Sequence, residues 1–136
     1  MSKILILNRV LCLLCDDLII SKHGHDFVMC SCGSVGVDGG NNYQRRIGED
    51  YNMIDLSIYS DKFEDFREYL RWGKNYDENM VYLDQTEWVP IKDMTTGHIQ
   101  AILDGNHSRY NPFYNDLFKK ELKYRKNDKR NKKSII

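Results

Sequence analysis

Apolar positions in the first third of the chain come in short blocks, a pattern that predicts strands. Ile4 to Leu7, followed by Val10 and Leu11, predict a strand or two leading toward Cys12. Leu18, Ile19 and Ile20 predict a strand leading away, and Phe27, Val28 and Met29 a return strand into Cys30. Val35 and Val37 continue outward until Asp38, Gly39 and Gly40 mark a turn, and Tyr43, Arg45 and Arg46 close the segment.

The period changes after residue 60. Ser60 is an N-cap candidate, Asp61 and Glu64 suit the positive end of a helix, and Phe63, Phe66 and Leu70 recur at helical spacing. Trp72-Gly73 ends that helix or begins a strand. Val81 to Leu83 and Trp88 to Ile91 predict two short strands around an Asp84–Glu87 turn, with Pro90 placing the second at an edge. Thr95 or Thr96 caps a helix that Gly105 stops, with Ile99, Ile102 and Leu103 as its buried stripe. Asn111-Pro112 opens a last helix, striped by Tyr114, Leu117, Phe118 and Leu122 and running to about Arg125. Beyond Lys126 only Ile135 and Ile136 are apolar, so 127–136 is expected to be a disordered basic tail. The fold class read from this is α+β: a β module over 1–48, and an acidic segment with a small α+β, largely helical module over 49–126.

All four cysteines fall in the β module, as Cys12-x2-Cys15, fourteen residues, then Cys30-x-Cys32. Close pairs of thiols without a secretory context point to a metal rather than disulfides. Two pairs joined by a hairpin suit tetrahedral zinc. Gly33 follows the second pair, where a turn at the metal often needs positive φ. His23 and His25 lie between the pairs and are read as loop residues, the alternative being that one replaces a cysteine ligand. Four thiolates close the zinc shell, so the expected metal is structural, and its binding would supply folding free energy to a module with little core. Reduced cysteines imply a cytoplasmic setting. No apolar run approaches the roughly 20 residues of a membrane span, and Met1 to Leu14 is a poor match to a signal peptide.

The run Cys-Leu-Leu-Cys-Asp-Asp-Leu-Ile-Ile-Ser-Lys-His-Gly-His-Asp-Phe-Val-Met-Cys-Ser-Cys-Gly, continuing to Arg46, resembles a small zinc-ribbon-like domain of unknown function found in hypothetical proteins of bacteriophages and prophages. The stretch Trp88 to Leu103, with Glu121-Leu122-Lys123-Tyr124-Arg125, resembles a second uncharacterised phage module. The resemblance implies a phage or mobile-element origin and action in the cytoplasm of a bacterial host. It implies no activity and no catalytic residues.

Charge is unevenly spread over 136 residues of zero net charge. Residues 49–87 carry eleven acidic against four basic side chains, and 119–136 nine basic against two acidic. The neutral total excludes a surface that is basic throughout. Two functions fit. In the first, a non-enzymatic zinc protein binds and modulates a host protein or complex, as an inhibitor or anti-defence factor. Its contacts would come from Tyr43, Arg45 and Arg46 and from the acidic, tyrosine-bearing segment: Tyr59, Glu64, Asp65, Glu68 and Tyr69. In the second, an accessory protein grips nucleic-acid phosphates through Arg45, Arg46, Lys126, Lys129 and Arg130. Chemistry finds little support. The chain has neither a Walker-type glycine loop nor a His-Glu-x-x-His helix. Asp104-Gly105-Asn106-His107, with His98 nearby, only faintly suggests a metal-dependent nuclease, and reads better as a helix–helix loop. His98 itself is expected to be a half-buried, hydrogen-bonded residue.

Overall fold

The computed structural model describes residues 3–77 and 79–134, with side chains described through residue 128. In chain order the elements are β1 (Ile4–Cys12), β2 (Leu18–Ser21), β3 (Val28–Met29), β4 (Gly36–Asp38), β5 (Arg45–Ile47), β6 (Met53–Asp55) and β7 (Ile58–Ser60). There follow α1 (Phe63–Tyr69), β8 (Arg71–Tyr76), β9 (Tyr82–Pro90), α2 (Thr96–Asp104) and α3 (Pro112–Ser134). Single 3-10 turns occupy Asp50–Asn52 and Ile91–Asp93. The fold is α+β, β-rich in its first half and helical toward its end. Among the described residues no helix is long and apolar enough to cross a membrane.

Strand β1 organises the molecule. Its even positions Ile6, Asn8, Val10 and Cys12 are all buried, as the two-residue period of a strand dictates. β2 pairs with β1 over Asn8–Leu11, β6 over Val10–Cys12, and β7 with its first half, all antiparallel. Ser57 fills the interruption between β6 and β7: its hydroxyl accepts from the Arg9 N–H and donates to the Arg9 carbonyl, both at 3.2 Å. A second sheet, β3-β4-β5, lies in the same half, and β8 and β9 form a separate two-stranded ribbon. The turn after β4 requires glycine, because a Cβ on Gly40 (φ +53°) would come within 2.2 Å of the His23 backbone.

Two cores lie along β1. Val10 and Cys12 join Ile19, Cys30, Val35 and Val37 in the first. Ile6 joins Leu70, Ile91, Met94, Ile99, Ile102, Leu117 and Phe118 in the second. Trp72 and Tyr114 tilt against Phe118 at centroid distances of 5.0 and 6.0 Å, geometries aromatic pairs favour. Polar contacts join β1 to the second sheet, and a ring stack joins the halves. Buried Asn8 donates to the carbonyls of Asp38 and Tyr43, and its side-chain oxygen accepts from Arg46 at 2.8 Å. His23 stacks on Trp88 at 4.6 Å.

Glu121 on α3 is wholly buried and receives three charged hydrogen bonds: two from Arg67 at 2.8 and 3.0 Å and one from Arg125 at 2.6 Å. Arg125 also donates to the Ile91 and Lys92 carbonyls and to Thr96 Oγ1. One cluster thereby fixes α1, α3, α2 and the 3-10 turn before α2.

Several expectations are corrected. The first helix starts at Phe63; Ser60 ends β7, its hydroxyl accepting from the Lys62 N–H and donating to Asp65. There is no Asp84–Glu87 turn. β9 runs unbroken through it, pairing Lys74 with Glu87, because the exposed ribbon lets polar residues occupy a strand. The reversal is at Asp77–Val81, where Asp77 Oδ1 accepts from the Asn79 and Val81 N–H groups and Met80 takes φ +64°. Pro90 is the last residue of β9, opposite Arg71. Gly105 is the C-cap of α2, as expected, but at φ −82°; the left-handed residue that follows it is Asn106, at φ +56°. The stretch 127–134, expected to be disordered, continues α3 to Ser134. No glycine or proline interrupts 113–134, and lysines and arginines are good helix formers that suit the C-terminal end of the dipole. Residues 135 and 136 lie outside the described residues. Past residue 48 the chain leaves the second sheet and returns to the first, where β6 and β7 pair with β1.

Candidate metal centre

Cys12 is the last residue of β1, and Cys15 lies in the turn that follows. Cys30 follows β3, and Cys32 lies in the turn before β4. Each pair is followed at once by a left-handed residue: Asp16 at φ +63° after Cys15, and Gly33 at φ +75° after Cys32. In the first turn the Asp16 N–H returns to the Cys12 carbonyl at 2.9 Å; in the second the Gly33 N–H returns to the Cys30 carbonyl at 3.0 Å. The missing residue in Cys-x-Cys shortens the loop but keeps the reversal. Asp17 locks the two turns together, its Oδ2 accepting from the Ser31 N–H at 2.7 Å and from the Ser31 hydroxyl.

The four sulfurs all lie within 4.8 Å of one another. Cys32 Sγ is 3.7 Å from Cys12 Sγ and 3.6 Å from Cys30 Sγ. A tetrahedral site with metal–sulfur bonds of about 2.3 Å needs sulfur–sulfur edges of about 3.8 Å. All four cysteines are free rather than disulfide-bonded, and the set can hold a metal ion. Among the described residues no second group of three or more such ligands comes together. His23 and His25 stand apart, one stacked on Trp88 and the other beside the Tyr43 hydroxyl at 3.4 Å.

The thiols differ electrostatically. Burial pushes the Cys12 thiol up to about 11, against the N–H groups of Cys15 and Leu14. Burial also works against a Cys30 thiolate. There the N–H groups of Val35 and Ser34 and the thiols of Cys32 and Cys12 outweigh it and bring the pKa down to about 6. Cys32 is held below its ordinary value, chiefly by hydrogen bonds from Ser34. N–H groups aimed at sulfur, such as Val35 to Cys30 Sγ at 3.3 Å, stabilise the thiolates a metal requires.

The other residues singled out in the sequence are scattered. Arg46 is not a free surface cation: it donates to Asn8, Asp55 and Ser57 and is largely buried, so its role is to join β5 to β1 and β6. Arg45 is exposed, 3.9 Å from Asp38. Tyr43 packs edge-on against His25, and the Tyr59 hydroxyl donates to Gln44 at 2.7 Å. On α1, Glu64 and Tyr69 face solvent, while Asp65 is bonded to Ser60 and Glu68 is paired with Lys92. Lys126 is exposed on α3; Lys129 and Arg130 lie on its helical backbone, and their side chains are outside the described residues. Asp104 accepts from Gln100, and His107 is exposed in the loop after α2. His98 is half-buried, and desolvation, with Lys74 nearby, lowers its pKa.

Three residues that matter were given no role from the sequence: Asn8, Asp17 and Glu121. Asn8 left one signal, a polar residue at an inward position of an otherwise apolar strand. Glu121 left another, its spacing of four from Arg125 within an apolar stripe.

Beside the metal centre the first sheet presents an apolar outer face. Leu18 (45% exposed) and Ile54 (44%) flank Leu11 from either side in direct register. Leu13 (45%) and Leu14 (59%) project from the Cys12–Cys15 turn.

Residues 4–48 match the family model described as a domain of unknown function (DUF7695). The match takes in all four cysteines and β1 to β5, and stops before β6 and β7. No curated protein and no solved structure matches the chain.

Proposed function

We propose that the protein is a zinc-stabilised, non-enzymatic interaction module that binds a protein partner through the apolar outer face of its first sheet. The observation that carries this reading is the exposure of Leu13, Leu14, Leu18 and Ile54 around the Cys12–Cys15 turn. Contiguous exposed apolar side chains of this kind favour burial against a partner. The metal has a clear part in that reading. Cross-linking Cys12 and Cys15 to Cys30 and Cys32 holds Leu13 and Leu14 out on a rigid turn, so little ordering entropy is lost on association. Zinc is the best candidate ion, since four thiolates at tetrahedral spacing suit it and leave no open position for a reacting water. The resemblance of Cys12–Arg46 to zinc-ribbon-like modules of phage proteins supports a bacterial host protein as the partner. The acidic helix α1 is a weaker surface, because Asp65 and Glu68 already have partners.

The test is an affinity capture from nuclease-treated bacterial lysate, comparing the native chain with Leu14→Asp and Leu18→Asp. These exposed positions should change stability by no more than about 0.5 kcal/mol, leaving metal content and melting behaviour intact. A stoichiometric protein captured by the native chain and lost with both variants is expected. Capture that survives both substitutions would overturn the proposal.

A further inference from the structure

The cysteine turns and the apolar sheet face are not the only organised surface. Between α2 and α3 lies a cleft of about 430 Å³ lined by Thr96, Gln100, Leu122, Lys123, Arg125 and Lys126. Three of the six are cations, and no carboxylate lines it. The positive charge is in surplus there, because Glu121 is a single anion shared by Arg67 and Arg125. Arg125 is held rigid by its bonds to Glu121, Thr96 and the Ile91 and Lys92 carbonyls, so its guanidinium is already oriented before any ligand arrives. Lys123 and Lys126 are exposed and form no ion pair among the described residues. Thr96 Oγ1 accepts from Arg125, which leaves its O–H free to donate toward the cleft.

The cations are also arranged in a row. Lys119, Lys123 and Lys126 are spaced by four and three residues, which places them on one face of α3 over about 10 Å of helix axis. The α3 backbone continues to Ser134 through a sequence that holds Lys129, Arg130, Lys132 and Lys133.

We infer that the α2–α3 cleft and the lysine row leading from it bind consecutive phosphates of a nucleic-acid backbone. A lone pocket of cations would suit any oxyanion; a pocket continued by a linear row suits a linear polyanion. The planar, pre-oriented guanidinium supplies a fixed contact, and the lysines follow the strand as mobile point charges. No base-reading contact is implied. This site is separate from the sheet face and stands or falls independently of it.

The experiment is fluorescence anisotropy with a labelled single-stranded oligonucleotide of about 20 residues, titrated with the full chain at two salt concentrations. Four phosphates neutralised in a single strand, by Arg125, Lys119, Lys123 and Lys126, predict a slope of log affinity against log salt near −3, so about a 50-fold loss over a fourfold rise in salt. Lys123→Glu with Lys126→Glu should weaken binding at least tenfold and flatten the slope, by an order-of-magnitude reckoning. Gln100→Glu, which puts a carboxylate in the cleft without removing a lysine, should weaken binding in the same direction. Lys3→Glu and Lys22→Glu, on exposed positions elsewhere, should leave it unchanged. Native affinity in the Lys123/Lys126 double variant, or in Gln100→Glu, would overturn the assignment to the cleft. A parallel arm uses phosphatidylserine vesicles; tighter binding there than to the oligonucleotide would overturn nucleic acid as the ligand.

Discussion

Six residues, two of them cysteines, fill the core at one end of β1, and none of the six is larger than isoleucine. Eight apolar residues fill the core at the other end, with nine more packed around them, among them Trp72 and three phenylalanines besides Phe118. Burial of one large apolar side chain contributes roughly 1.5–3 kcal/mol, so the second core can be held by burial. The first lacks that material, and a metal held by its four cysteines would supply the missing cross-link. The contrast extends to charge. In the second core the charged device is Glu121 between two arginines, all within the fold. In the first it is a set of thiols whose natural counter-charge is a metal ion. Where apolar volume is scarce, four ligand atoms can substitute for it.

The strongest way to break this comparison is to remove the metal. Chelation under reducing conditions should withdraw stability on the order of 10 kcal/mol from the cysteine half. Hydrogen exchange should then show β3, β4 and β5 losing protection while α2 and the first turns of α3 keep theirs. Simultaneous loss in both halves would show that β1 welds them into one cooperative unit, and the contrast would fail. Next in size is Glu121→Ala, which leaves Arg67 and Arg125 without their buried partner. A cost of about 3–5 kcal/mol is expected, read as a lower urea midpoint with unchanged metal content. A change under about 1 kcal/mol would mean that the α1–α3 contact is held by packing alone.

The smallest effect concerns pH. His98 has a lowered pKa in the folded state, from burial first and Lys74 second. The neutral ring is therefore favoured by folding. Its contribution is complete above the ordinary histidine value of 6.5 and is lost as pH falls through the lowered one. His98→Gln should flatten stability against pH across that acid window and leave the neutral range alone. The effect is small because the half-exposed ring is screened by water. An identical slope in both proteins would remove His98 from the account.

The legible parts of the molecule are those whose determinants are local. The cysteine spacing, the reversal at Gly33, the Thr95 cap on the His98 N–H and the Asn111-Pro112 start of α3 all act within a few residues. What stayed hidden depends on partners far along the chain. Arg46 looks in sequence like a surface cation, but Asn8, 38 residues away, and Asp55, nine away, claim it. Glu121 meets Arg67 across 54 residues. β9 misleads for a different reason: an exposed ribbon has no buried face to impose alternation, so Asp84 to Glu87 carry turn-like residues in a strand.

The sharing of β1 also bears on the order in which the protein is made. A chain emerging from its N-terminus completes Cys32 long before it completes β6 and β7, and the helices come later still. The cysteine turns can close around a metal while Ile6, on the same strand, still waits for Phe118. Until then β1 carries an unpaired edge and a bare apolar position into the crowded space outside the ribosome, a combination prone to aggregation. Early metal loading would fix the far end of that strand and shorten the search its near end must make. Supply of the ion during synthesis, rather than after it, would then govern the yield of folded protein.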